Sequence, residues 1–157
     1  MRKGQAAIEY LIILAVVVII ALIVIGVIGG FPGMTRGVSE RDSAAYWAGA
    51  DIGITRYYLT NGDPGTDSQL VLRNNRLFSV NVTAITFDGS SVFATATPLS
   101  PGSSTAVNLT TAACATAGQT VTKNVVITYK DATYGVTYTF TGEKPLVGTC
   151  QEGYIAQ

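Results

Sequence analysis

Few residues in this chain have side chains suited to catalysis. Histidine is absent, which excludes imidazole general-base chemistry and histidine-ligated metals. The sequence contains no phosphate-binding glycine loop, no Cys-x-x-Cys pair and no Ser/His/Asp set. Asp51, Asp63, Asp67 and Asp88 are scattered at predicted turns, where aspartate is common, and a calcium site built from a few of them is the alternative. We therefore expect no enzyme, no cofactor and no metal site.

Cys114 and Cys150 provide the remaining covalent chemistry. Two distant thiols in an exported domain indicate one disulfide formed in an oxidising compartment, and two free buried thiols are the alternative. The bridge would close a loop of nearly 40 residues, which the chain-entropy model values at ~3–4 kcal/mol.

Asn81 and Asn108 each begin an Asn-x-Thr triplet, the acceptor pattern for N-linked glycans. In both segments Val or Leu alternates with polar residues, which is typical of a strand and points each Asn outward. Both are candidate glycosylation sites in an exported domain, although such triplets also occur by chance.

The N-terminal segment organises the rest of the chain. Arg2 and Lys3 precede an uncharged run from Tyr10 to Phe31, about 22 residues, which is enough for a helix to cross hydrocarbon. The two cations favour a cytoplasmic N-terminus. A secretory signal peptide, whose apolar region is shorter, and a plain single-pass anchor are the alternatives. Neither alternative explains why a carboxylate, Glu9, directly precedes the uncharged run.

Residues 3–10, Lys-Gly-Gln-Ala-Ala-Ile-Glu-Tyr, resemble the processing motif of type IV prepilins, most closely the archaeal, class III variant. In that family a membrane-embedded aspartyl prepilin peptidase cuts after the glycine. The resemblance implies a cut between Gly4 and Gln5, and it makes Glu9 the fifth residue of the mature chain, where the family keeps a glutamate. Archaellins share this processing but usually continue with a Gly-Ile-Gly-rich segment, so the resemblance favours a pilin.

Cleavage would remove the two cations and create an α-amine on Gln5. That amine could pair with Glu9 of a neighbouring subunit, which would enforce register more than it adds stability. We expect Gln5, Glu9 and Tyr10 to act in assembly. A Gly-x-x-x-Gly spacing and a proline near the end of the run predict close helix packing or a kink there. The residues concerned are Gly26, Gly29, Gly30, Pro32 and Gly33.

Beyond Pro32 the chain is polar enough for water, and helix is predicted to continue to about Ala50. Apolar residues recur at helical spacing and predict one buried stripe. Its members are Met34, Val38, Ala45, Ala48 and Ile52. Tyr46 and Trp47 are expected to anchor the helix to the following domain, and a position at an interface is the alternative.

From Ile52 onward, short Thr-rich segments alternate with turn residues, which predicts about seven strands in an immunoglobulin-like β-sandwich. One predicted strand, 120–129, turns at Lys130-Asp131 into a half-buried strand over Thr133–Thr141. The predicted fold class is α+β, with a long hydrophobic N-terminal helix and an all-β head.

The chain has 157 residues, 48% hydrophobic and 13% charged, with zero formal net charge. That composition argues against a nucleic-acid partner and against intrinsic disorder. The predicted domains are a cleaved leader (1–4), a helix that spans the membrane before assembly and forms the filament core afterwards (5–51), and an extracellular head (52–157). We expect an adhesive pilus subunit at the cell surface, with copies of itself, the prepilin peptidase and the assembly machinery as partners. The alternatives are a monomeric membrane-anchored binding domain and an archaellin-like subunit.

Overall fold

The fold is taken from a computed structural model. It describes residues 2–29, 32–62 and 68–153, with side chains over residues 8–25 and from 39 onward. Two compact units are separated between Gly37 and Val38.

Two helices form the N-terminal third of the chain. Helix α1 spans Arg2–Gly29, where Ile, Val, Leu and Ala dominate, and helix α2 spans Pro32–Ala48. Proline is well tolerated at a first helical position, because its missing N–H would have no intrahelical partner there. The predicted kink includes Gly30 and Phe31, which lie outside the described residues.

Helix α2 buries a different face from the predicted stripe. Ala45 and Ala48 are exposed, whereas Ser43 and Trp47 are buried. The prediction was wrong at the two alanines because it counted only apolar residues. Ser43, a polar residue whose hydroxyl is hydrogen-bonded, lies on the buried face in their place. The helix ends two residues earlier than predicted, and Ala50 is buried just beyond it.

The described part of the head contains ten strands in three antiparallel sheets, and this confirms the α+β class. A three-stranded sheet has the order β1-β2-β6, a five-stranded sheet has the order β4-β3-β8-β9 with β5 also paired to β3, and β10 pairs with β7. The strands are β1 (Ile52–Tyr58), β2 (Gln69–Asn74), β3 (Val80–Phe87), β4 (Ser90–Phe93), β5 (Thr97–Leu99), β6 (Ser104–Asn108), β7 (Thr120–Lys123), β8 (Val125–Asp131), β9 (Thr137–Thr141) and β10 (Leu146–Thr149).

The inward-facing side chains of the sheets meet in one hydrophobic core. Leu70 and Leu72 of β2, Ile85 of β3 and Ile127 of β8 are fully buried there. Along β3 the buried residues alternate with half-buried ones except at Thr83 and Ala84, where a register shift against β8 places two half-buried residues in a row. The arrangement matches the predicted sandwich in its shared core, with more strands than the sequence indicated.

The predicted strand over 120–129 is divided at Asn124. Residues before Asn124 pair with β10, and residues after it pair with β3 and β9, so the chain changes sheets at this point. The backbone N–H of Asn124 donates to Asp88 Oδ1 (3.0 Å), and the Asn124 carbonyl accepts from the Asp88 N–H (2.9 Å). These bonds hold Asn124 against the β3–β4 turn, where Asp88 and Gly89 have φ of 50° and 83°.

The β8–β9 hairpin also differs from its prediction. Strand β8 continues through Asp131, because the Asp131 carboxylate accepts the backbone N–H groups of Thr133 (2.6 Å) and Tyr134 (3.0 Å). The turn therefore starts at Ala132, two residues later than predicted. Strand β9 is exposed except at Phe140, which is half-buried. The expected half-buried strand over Thr133–Thr141 was therefore wrong in both length and burial.

Candidate functional site

The predicted processing residues lie at the start of α1. Gly4 and Gln5 are helical, and Glu9 and Tyr10 follow within the same helix with exposed side chains. The helix window Ile8–Ile25 has a mean hydropathy of 3.2, and none of it is buried. By length and composition this segment can cross a membrane. Its apolar surface extends all round the helix, so in water it would require cover on every side.

The glycines predicted to allow close helix packing fall at the junction of the two helices. Gly26 and Gly29 are in the last turn of α1, and Pro32 and Gly33 begin α2. The remaining member of the spacing, Gly30, is outside the described residues. The Gly-x-x-x-Gly proposal therefore stays a prediction.

Helix α2 is fastened to the C-terminal segment of the head by hydrogen bonds at successive turns. Thr149 Oγ1 donates to Glu40 Oε1 (2.7 Å). Ser43 Oγ accepts the Val147 N–H (2.9 Å) and donates to the Pro145 carbonyl (2.9 Å). As the helix advances its partners step backwards in sequence, so the two segments run antiparallel.

The third level of this attachment is aromatic. The Tyr46 hydroxyl accepts the Glu143 N–H (2.8 Å). Next to it, Trp47 is fully buried and meets Tyr46 and Phe140 edge to face, with ring centroids 5.4 and 6.0 Å away. A Cβ on Gly142 would overlap Cη2 and Cζ2 of Trp47, so the indole occupies the space that the missing side chain leaves. The Trp47 anchor therefore depends on a glycine almost a hundred residues away in sequence.

Tyr57 extends the attachment into strand β1. Its hydroxyl donates to the Val147 carbonyl (2.6 Å). Burial raises the pKa of Tyr57, and the nearby negative charge of Glu40 raises it further. The neutral hydroxyl that makes this hydrogen bond is thereby favoured.

The structure joins Cys114 to Cys150 by a disulfide. Cys150 is buried directly after β10, and its backbone N–H donates to the Gln119 carbonyl (2.8 Å). The bridge thus ties the end of β10, the strand that contacts α2, to the loop before β7.

The two Asn-x-Thr triplets have different surroundings. Asn81 is half-buried in the middle of its sheet, between β5 and β8. Asn108 is exposed at the end of β6, an edge strand, and its Oδ1 accepts from Gln69 Nε2 (2.8 Å). Asn108 is the more accessible of the two candidates.

The aspartates serve local structure where the structure describes them. Hydrogen bonds from Asn124, with Lys123 Nζ 3.1 Å away, hold the pKa of Asp88 below its usual value. Asp51 accepts the Tyr129 hydroxyl (3.0 Å) and pairs with Arg76 (3.2 Å). Over residues 2–29, 32–62 and 68–153, no three His, Cys, Asp or Glu side chains form a group that could hold a metal. Asp63 and Asp67 lie outside those ranges.

Comparison with known families agrees with the N-terminal geometry. Residues 2–28 match the model of the Class III signal peptide family, and no curated protein is similar in sequence to the chain. The match is consistent with a type IV pilin-like prepilin. It indicates a type IV pilin-like or archaellin-like secreted filament subunit, which implies processing by a prepilin peptidase and assembly into a pilus-like polymer.

Sequence reasoning missed Ser43 and Gly142 as parts of the attachment. Each looks unremarkable alone, because a serine in a polar helix and a glycine after a strand have many ordinary explanations. Their roles come from residues far along the chain that no local pattern links to them.

Proposed function

We propose that this chain is the structural subunit of an archaeal-type type IV pilus that is used for adhesion. The peptidase cuts between Gly4 and Gln5, α1 then forms the filament core, and the head faces outward. The observation that carries the proposal is the apolar surface of helix α1, which is uncharged from Tyr10 to Ile25 and exposed along that whole length in the single chain. Such a surface needs lipid before assembly and other copies of itself afterwards.

In the proposed assembly, helix α1 moves from one apolar environment, the lipid bilayer, into another, the core of the filament. Burial of apolar side chains is worth roughly 25 cal/mol per Å² relative to water, but lipid already provides it in the membrane. Transfer of the helix from lipid into a filament is therefore close to neutral in hydrophobic energy, and close packing and polar pairing decide it. Few polar groups are available along α1, and Glu9 is the acidic one.

Cleavage would change the electrostatics around Glu9. The mature helix begins at Gln5, which brings Glu9 within about one turn of the new N-terminus, where the helix dipole favours a negative charge. The new α-amine on Gln5 of a neighbouring subunit is the partner we assign to Glu9. An uncompensated carboxylate in an apolar core is costly, so the pair selects one register among several sliding positions.

The pilin is favoured over the archaellin-like subunit by one feature. After the cut the chain continues as Gln-Ala-Ala-Ile-Glu-Tyr, with the glutamate at mature position five, instead of a glycine-rich start. Within the head, exposed Asn108 is the favoured site for an N-linked glycan on the filament surface.

Two measurements test the class. Mass spectrometry of the N-terminus is expected to find chains that begin at Gln5, and electron microscopy of sheared surface material is expected to show filaments that contain this protein. A chain that begins at Met1 and is absent from filaments would support the monomeric membrane-anchored domain instead.

Glu9→Ala tests the proposed register. We expect efficient cleavage but at least tenfold fewer filaments, because the α-amine on Gln5 of the neighbouring subunit would be left unpaired in the apolar core. A cost of about 1.4 kcal/mol per contact lowers an association constant tenfold. Glu143→Ala is the matched control, because it removes an exposed carboxylate of the head. Filament yield equal to that of the control would refute the pairing.

A further inference from the structure

Strand β9 forms an exposed edge of the five-stranded sheet. In the described part of the chain it is the last strand on that side, and its pairing with β8 runs without a register shift. Its sequence, Thr-Tyr-Thr-Phe-Thr, lacks the lysine, proline or bulge with which proteins usually protect an edge. The edges at β1 and β4 do carry register shifts. Another edge strand, β6, exposes only the small or polar side chains of Ser104, Ala106 and Asn108, while β5 contains Pro98 and β7 contains Lys123.

A loop beside this edge displays a leucine in a fixed position. Leu77, between β2 and β3, is 97% exposed. The residues around it are held by hydrogen bonds: Asn75 Nδ2 donates to the carbonyls of Ala48 (2.9 Å), the last residue of α2, and of Ala50 (2.7 Å), just beyond it. Arg76 lies over the Phe78 ring at 5.2 Å and pairs with Asp51. Leu77 therefore lies on a loop whose neighbouring residues are held by hydrogen bonds, an ion pair and a cation–π contact.

The loop and the hairpin form one continuous surface. The Ala132 N–H donates to the Ser79 carbonyl (2.9 Å), and the Tyr138 ring lies 6.2 Å from Phe78 and stacks on Tyr129 at 5.4 Å. The exposed apolar members are named the apolar rim: Leu77 (97% exposed), Tyr134 (82%), Val136 (49%) and Tyr138 (36%).

The size and charge of the apolar rim indicate its occupant. It exposes on the order of 500 Å² of side chain, which is as large as the main apolar patch of a typical monomer. A stable free dimer buries about 800 Å² per partner, so this surface alone would not hold two heads together. Inside a polymer the heads are already near one another, and millimolar effective concentrations make a small contact sufficient. The Arg76 cation is neutralised by Asp51, which leaves little attraction for an anionic partner.

We propose that the apolar rim and the β9 edge contact the head of another copy of this chain within the filament. The inference rests on the proposed function, since it needs the polymer. Pre-organisation of Leu77 lowers the entropic cost of this contact, as expected of an anchor residue.

The test compares thiol accessibility in filaments and in dissolved subunits. The native cysteines are joined in a disulfide, so Leu77→Cys introduces the only free thiol in the described chain. Thr95→Cys, on the exposed loop between β4 and β5, is the matched control. Both sites are exposed, so neither change disturbs the core. A maleimide reagent is applied to intact filaments and to subunits dissolved in detergent.

We expect Cys at position 77 to react about tenfold more slowly in filaments than in detergent, as for a contact closed about nine-tenths of the time, and to be protected more than position 95. Equal protection at the two positions would overturn the proposed contact. Absence of filaments from the unsubstituted chain would instead refute the polymer itself, so the two failures are distinguishable.

Discussion

Gly142→Ala is expected to loosen the attachment of α2 to the head. The added Cβ would overlap the buried indole of Trp47, which cannot move freely because Tyr46 and Phe140 flank it. Overpacking of a full core typically costs about 1–3 kcal/mol, and complete loss of a buried tryptophan costs about 3–5 kcal/mol. We therefore expect a loss of about 2–4 kcal/mol in the free energy of unfolding.

The assay is urea unfolding of the detergent-dissolved chain, followed by fluorescence. The chain has one tryptophan, so the signal reports on Trp47 itself. With a slope of about 1–2 kcal/mol per molar urea, the midpoint should fall by roughly 1–4 M. Gly49→Ala is the control, because a Cβ there meets only ordinary contacts, 3.7 Å from the Tyr46 carbonyl. A midpoint for Gly142→Ala that equals the control would refute the packing argument.

Two further predictions concern the disulfide and the pH dependence of the head. Replacing Cys114 and Cys150 by serine opens a loop with a sequence separation of 36 and should cost ~3–4 kcal/mol of unfolding free energy, measurable by the same urea titration; a change below ~1 kcal/mol would contradict it. Burial, then the hydrogen bond to Asp51, raises the pKa of Tyr129 to about 12. Since the unfolded chain releases this proton near pH 10, stability is full below that pH and falls as pH rises towards 12, by ~1–2 kcal/mol after solvent screening. Tyr129→Phe should remove this part of the decline, and an unchanged pH profile would argue against it.

The sequence predicted the features that depend on local composition. The apolar helix follows from an unbroken run of Ile, Val and Leu, and the β3–β4 turn follows from Asp88-Gly89. The pairing of Cys114 with Cys150 was the simplest choice for two cysteines in an exported domain. Each of these three features can be predicted from neighbouring residues or from the number of residues of one type.

Other features depend on contacts that no local pattern contains. The change of sheets at Asn124 requires the β3–β4 turn to supply hydrogen bonds from 36 residues away. Alternation over Tyr134–Phe140 resembled a half-buried strand, but period-two patterning does not show which face a core will cover. On helix α2, two hydrogen bonds hold the polar side chain of Ser43 on the buried face, whereas the helical pattern placed that face at Ala45 and Ala48.

The antiparallel attachment of α2 to residues 143–149 has a mechanical consequence. Tension along α2 would load the bonds at Glu40, Ser43 and Tyr46 together, in shear, instead of opening them one at a time. The force would then pass into β10 and, at its end, into a covalent link through Cys150. Pulling on the helix would therefore have to break these bonds together before it separated α2 from residues 143–149.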